Sequence, residues 1–157
     1  MSKKSGIQKT STLLLEGGIK YKGEIKQSSG VPHTGTEIGI MTWPNGDRYE
    51  GHFRHGKRHG QGKRINVDGS TYEGAYEDDQ PSGHGVYTWN DGETYDGQWK
   101  NGLFHGMGIK KVLEDNGRWT ILDGNWHLGI PKGLGVCNYS DGSQYEGEWL
   151  DGHPHGH

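Results

Sequence analysis

The stretch that decides the fold is Tyr95–Gly108, which reads YDGQWKNGLFHGMG. Tyr95, Gly97 and Trp99 alternate with Asp96 and Gln98, the two-residue period of a half-exposed strand. Lys100-Asn101-Gly102-Leu103-Phe104 supplies a glycine-containing turn, and His105–Ile109 reads as the return strand. The unit is therefore a β-hairpin. In the copy before it, Gly83, Gly85, Tyr87 and Trp89 share one face, and Asn90-Asp91-Gly92-Glu93 is the turn into the next hairpin.

Working outward, the anchor Tyr-x-Gly recurs at Tyr21, Tyr49, Tyr72, Tyr95 and Tyr145, and Leu122-Asp123-Gly124 is a sixth copy with Leu for Tyr. The steps are 28, 23, 23, 27 and 23 residues. Two residues past each Gly stands another large side chain: Phe53, Tyr76, Trp99, Trp126 and Trp149, with Ile25 in the first copy. Eleven residues after an anchor comes Gly-x-Gly, and Asn45-Gly46, Asp68-Gly69, Asp91-Gly92 and Asp141-Gly142 each lie four residues before the next anchor. The long steps place their insertions at Gln27–Thr36 in the first copy, and on both sides of the Asn116 turn in the fifth. The chain divides into an N-terminal segment, 1–19, expected to be flexible or capping, and six units over 20–157 starting near 21, 49, 72, 95, 122 and 145. The last is read as truncated, leaving an unpaired sheet edge that invites another chain.

The repeat explains the composition. Glycine supplies 30 of 157 residues, while Leu, Ile, Val and Phe together supply 25. That excludes a helical bundle and a thick aliphatic core. Sixteen aromatics at a net charge of −3 exclude a solvating, disordered tail. Glycine within a strand is costly unless something must approach the backbone closely. Here it lets bulky rings lie over neighbouring strands. Tyr49, Phe53, Tyr72, Tyr76, Tyr95, Trp99, Trp126, Tyr145 and Trp149 are expected to stack as a ladder along one face, at the strand spacing of about 4.8 Å. The expected fold is all-β: an open, elongated, single-layer antiparallel sheet of consecutive hairpins, on the order of 50–60 Å long.

Tyr-Glu-Gly-x-Trp, then Gly-x-x-His-Gly-x-Gly, then Asp-Gly, every 23 residues, resembles the MORN repeat (membrane occupation and recognition nexus). Tyr95–Gly108 and Tyr145–Gly156 are the nearest copies, and the resemblance covers about residues 20–157. It implies a one-layer antiparallel sheet used as a scaffold, in axonemal, cytoskeletal and membrane-junction settings. It also implies protein binding, with membrane or phosphoinositide binding as the family's other proposed role.

No catalytic or cofactor site is expected. The Gly-x-Gly pairs lack the third glycine of a dinucleotide fingerprint, and Gly60–Arg64 lacks P-loop spacing. His59, His105 and His155 share a repeat position; His59 and His105 would lie about 19 Å apart, too far to share an ion held at about 2 Å. The His153-Pro154-His155-Gly156-His157 end reads as a solvated tail rather than a chelator. Cys137 reads as a packing residue, and the Asn138-Tyr139-Ser140 sequon as chance. One cysteine requires no oxidising compartment. Leu13–Leu15 is too short for a signal-peptide core, so the expected location is cytoplasmic, with cytoskeletal, ciliary or flagellar association. A pI near 6.3 argues against nucleic acid as a partner.

Two binding surfaces are expected. A groove beside the ladder, marked by the aligned Trp43, Trp89 and Tyr139 with Tyr87, would take an extended or helical protein segment. Alternatively, Arg54, Lys57, Arg58, Lys63 and Arg64, in the basic hairpin 52–64, would meet anionic lipid or an acidic partner. The leading reading is a non-enzymatic scaffold that binds a protein partner in a larger assembly. A homodimer or edge-to-edge pairing is a further expectation, and a peripheral membrane adaptor is the alternative.

Overall fold

The computed structural model describes residues 10–24 and 37–156. The hairpin units become thirteen strands: β1 (Thr10–Leu14), β2 (Lys20–Glu24), β3 (Glu37–Thr42), β4 (Arg48–Arg54), β5 (Lys57–Ile65), β6 (Thr71–Glu77), β7 (Gln80–Thr88), β8 (Thr94–Lys100), β9 (Leu103–Leu113), β10 (Trp119–His127), β11 (Ile130–Asn138), β12 (Gln144–Leu150) and β13 (His153–His155). Each pairs antiparallel with the next, so sheet order equals chain order and the sheet stays open. Twelve steps of ~4.8 Å make a strip about 58 Å long.

Two sets of turns border the strip. On one border, two-residue turns such as Asn101-Gly102 hold both residues at positive φ, 51° and 77°. This mirror-image geometry follows the twist of the flanking strands. On the other border, loops such as Trp89–Glu93 close with Trp89 N–H donating to the Glu93 carbonyl at 2.9 Å, and Gly92 takes the left-handed position. The four extra residues of the fifth step lengthen β9 and β10 around the Glu114–Arg118 loop. The first-copy insertion at Gln27–Thr36 lies outside the described residues. Residues 10–14, within the segment read as flexible or capping, form the edge strand β1, paired Leu13 to Tyr21; a short 3-10 turn at Glu16–Gly18 follows. Leu13 and Leu15 pack against the aromatic core.

The core is one row of rings on one face. Tyr21, Tyr49, Tyr72 and Tyr95 are at most 2% exposed. Each lies over a pair of facing glycines, Gly74 and Gly85 beneath Tyr72 and Gly97 and Gly108 beneath Tyr95. A β-carbon on Gly85 would collide with the Tyr72 ring and hydroxyl. Each tyrosine then folds back on its own strand: Tyr49, Tyr72, Tyr95 and Tyr145 donate to the carbonyls of His52, Ala75, Gln98 and Glu148 at 2.7–2.9 Å.

The rings meet edge to face rather than stacked. The series Tyr21, Phe53, Tyr49, Tyr76, Tyr72, Trp99, Tyr95, Trp126 runs unbroken, with centroids 5.0–5.5 Å apart and planes at 82–89°. This corrects the stacked ladder expected from strand spacing. The ring quadrupole favours an edge against a face. The anchors Tyr49, Tyr72 and Tyr95 each touch the second ring of their own unit and that of the next, which fastens unit to unit. Trp99 and Trp126 add indole N–H bonds to the Gly85 and Gly108 carbonyls of the preceding unit, at 2.9 and 3.0 Å. Leu122 interrupts the series, and Tyr145 with Trp149 forms a separate pair at 5.7 Å.

Gly85→Ala overpacks the space beneath Tyr72 and lowers unfolding stability by about 1–3 kcal/mol, measured by urea denaturation. Burial pushes the Tyr76 and Tyr95 phenols up to about 12 and raises those of Tyr49 and Tyr72 as well. In the unfolded chain they ionise near pH 10. From pH 10 to 12 the unfolded chain therefore releases protons that the fold retains. The stability these phenols contribute is intact below pH 10 and falls through that window. Urea midpoints should drop between pH 9 and pH 11.5.

Candidate functional site: the aromatic groove

The return strands carry a second row beside the rings. Tyr87 follows Gly85 by two residues on β7, and Trp89 by four, so both share the ring face. Their rings meet at 4.7 Å, and Trp89 touches Phe104 at 6.1 Å. Together with Tyr72, Trp99, Arg58 and Arg64 they line an open cavity of about 480 Å³. Its depth comes from half-buried aromatics around the fully buried ladder. Its polar rim is Arg58, Arg64, Asn66 and Asp79. Farther along, Tyr139 lines a second hollow of about 320 Å³ with Lys110, Leu122, Cys137 and Trp149. Trp43 lines neither; the Arg58 and Arg64 guanidiniums lie over its ring at 5.7 and 5.4 Å. The three aligned aromatics thus mark one side of the strip at intervals without converging on one cavity.

The five cations of hairpin 52–64 do not form one patch. Strand alternation sends Arg58 and Arg64 to the ring face and Lys63 to the other. Arg58 lies over Trp43, Tyr49 and Tyr76, and its Nε donates to Asp79 Oδ1 at 3.1 Å. Arg64 donates to Asp47 at 2.7 Å and to Asn66 at 2.6 Å. The Val67 backbone N–H and then Arg64 hold the buried Asp47 carboxyl below its usual range. Lys63 pairs with Glu73 at 2.9 Å, and Arg54 stands 3.9 Å from Asp78. Lys57 is exposed on the turn border. Two of the five are therefore part of the groove wall, and Lys63 and Arg54 stand beside carboxylates.

Phe104 and Lys110 belong to the groove and were missed by the repeat alignment. Phe104 stands where other units have Arg58, Pro81 and Pro131, so recurrence gave no signal. It stacks on Tyr95 at 3.8 Å. Lys110 sits over Trp89 at 5.4 Å.

Cys137 is buried, and burial raises its thiol above the ordinary range. A buried thiol held protonated is a packing group. Among the described residues no group of three or more His, Cys, Asp or Glu is placed to hold a metal ion.

The MORN-repeat family model matches residues 38–48, 49–71, 72–94, 95–111, 123–144 and 145–157. The chain belongs to the MORN-repeat family. The matches cover most of β3 through β13, the hairpins that carry the groove. MORN repeats are non-catalytic modules that mediate protein or membrane-lipid contacts.

Arg58 tests how the groove wall is built. Arg58→Ala removes the guanidinium from three rings and from Asp79, and should lower stability by about 1.5–3 kcal/mol. Lys57→Ala, on the exposed turn, should stay within about 0.5 kcal/mol. Urea denaturation of both variants separates a structural cation from a solvated one.

Proposed function

We propose that this protein is a non-enzymatic scaffold that holds a protein segment in the aromatic groove. The observation that carries the reading is the half-buried pair Tyr87 and Trp89, opening a 480 Å³ cavity directly over the ring row. Aromatic side chains that are neither buried in the core nor free in solvent supply large contact area at small entropic cost. The rigid strip beneath lets a bound segment be held without remodelling the site. A cytoskeletal, ciliary or flagellar assembly is the setting this reading assigns to it, on the family resemblance.

The alternative is a peripheral membrane adaptor acting through hairpin 52–64. The split of its cations between two faces and the ion pairs to Asp47, Asp79 and Glu73 weigh against it. Co-sedimentation with phosphatidylserine vesicles at low salt would revive it if binding falls as salt rises.

The groove reading is tested by Trp89→Ala combined with Tyr139→Ala. Neither side chain belongs to the continuous ring series, so the array should stay folded by circular dichroism. Pull-down from a lysate should lose the partner that the unaltered protein captures. Retention of that partner by the folded double variant overturns the groove assignment.

A further inference from the structure

The opposite face of the same sheet carries a second pattern. Along its centre, directly paired residues form a row: Glu73, Val86, Asp96, Ile109, Asp123, Val136, Glu146. From β6 to β12 each forward strand contributes a carboxylate and each return strand an aliphatic side chain. In the β4–β6 part, Lys63 stands between Glu50 and Glu73 and pairs with Glu73. From β8 to β12 the acids are differently placed. Asp123, Glu146 and Glu148 are exposed and make no ion pair among the described residues, and Asp96 pairs with the exposed His84 at 2.9 Å. Beside them Met107, Ile109 and Leu134 are 56%, 39% and 68% exposed. Met107, Leu134 and Val136 border a shallow hollow of about 620 Å³ whose polar lining includes Asp123, Asn125 and Glu146. On this face of β8–β12 the cations are Lys100, Lys111 and Lys132, against the carboxylates Asp96, Asp123, Glu146 and Glu148.

We propose that this face, across β8–β12, docks a basic amphipathic helix of a protein partner. The surface is distinct from the groove and does not depend on it. The sign follows from the charges: unpaired carboxylates around exposed aliphatics match Lys or Arg around aliphatics. A second copy does not fit, because its own row would set carboxylates against carboxylates. An anionic membrane is repelled for the same reason.

The spacing selects a helix. Asp96, Asp123 and Glu146 lie one hairpin apart, at about 0, 9.6 and 19.2 Å along the strip, with Ile109 and Val136 at about 4.8 and 14.4 Å. A helix rising 1.5 Å per residue places positions i, i+7 and i+14 at about 0, 10.5 and 21 Å, and i+3 and i+10 at about 4.5 and 15 Å. Cations at the first set and aliphatics at the second meet both rows, the long basic side chains absorbing the remaining 1–2 Å.

The probe is a fluorescein-labelled helical peptide of about 18 residues, with Lys at i, i+7 and i+14 and Leu at i+3 and i+10. Anisotropy titrations should show binding that weakens as salt rises. A Glu-for-Lys peptide and a scrambled peptide of the same composition should bind about tenfold more weakly or worse. Asp123→Lys and Glu146→Lys, both on exposed positions, should each cost about tenfold, while the Trp89 and Tyr139 groove variant binds the peptide unchanged. Absence of binding, equal binding of the scrambled peptide, or indifference to both charge reversals overturns the proposal. Loss of binding in the groove variant alone would place the peptide in the groove and overturn it too. Neither result with this peptide decides whether the groove holds its own partner, which the pull-down reads separately.

Discussion

A tyrosine lying over two facing backbone glycines is the contact on which the strip depends. The sheet is one layer thick, and among the described residues no opposing sheet or helix covers its apolar side. Burial has to come from within the layer. The glycines remove the two β-carbons that would lift the ring, and the ring then covers the backbone while its hydroxyl returns to the main chain at the third residue on. That posture exposes the ring to the aromatic of the following unit. Each such pair contributes about 0.5–1.5 kcal/mol beyond its buried area. The sum is a core that exists between hairpins rather than inside any of them, which is why isolated units have little reason to fold.

The arrangement also separates the two faces by task. Because side chains alternate along a strand, every ring and groove residue has neighbours pointing the other way. The ring face is fixed by packing and carries aromatics with guanidiniums laid over them. The opposite face is free of packing demands and is patterned by charge. A strip of this kind can present two unrelated surfaces at once, with the same backbone hydrogen bonds supporting both.

Much of the fold was legible because its determinants recur. The 23-residue spacing fixes hairpin length, and the position of Gly-x-Gly eleven residues after Tyr-x-Gly sets glycine opposite glycine, as in Gly74 with Gly85. What did not recur was harder to read. The Leu128-Gly129 turn adopts positive φ without an Asp or Asn to announce it. Strand β1 carries no anchor, only a short Thr-Ser-Thr-Leu-Leu run. At the groove, Trp89 and Tyr87 were visible through their alignment, whereas Phe104 occupies a position that varies between proline, arginine and phenylalanine. Arg58 and Arg64 were grouped with Lys63 by nearness in the chain. Alternation, which the chain shows but a charge count ignores, puts them on opposite sides. The edge-to-face geometry depends on ring electrostatics, which strand spacing does not encode.

One substitution in the repeat has a mechanical consequence. Where five units have tyrosine at the anchor, the fifth has Leu122, and the continuous ring contacts stop at Trp126. Leucine fills volume but offers no ring face for Trp149 to meet, so the last hairpin is joined to β11 by backbone pairing and the Gln144 to Asn138 side-chain bond at 2.8 Å rather than by the ring series. Under load such a beam flexes first at its weakest splice, giving the molecule a stiff shaft and a compliant tip.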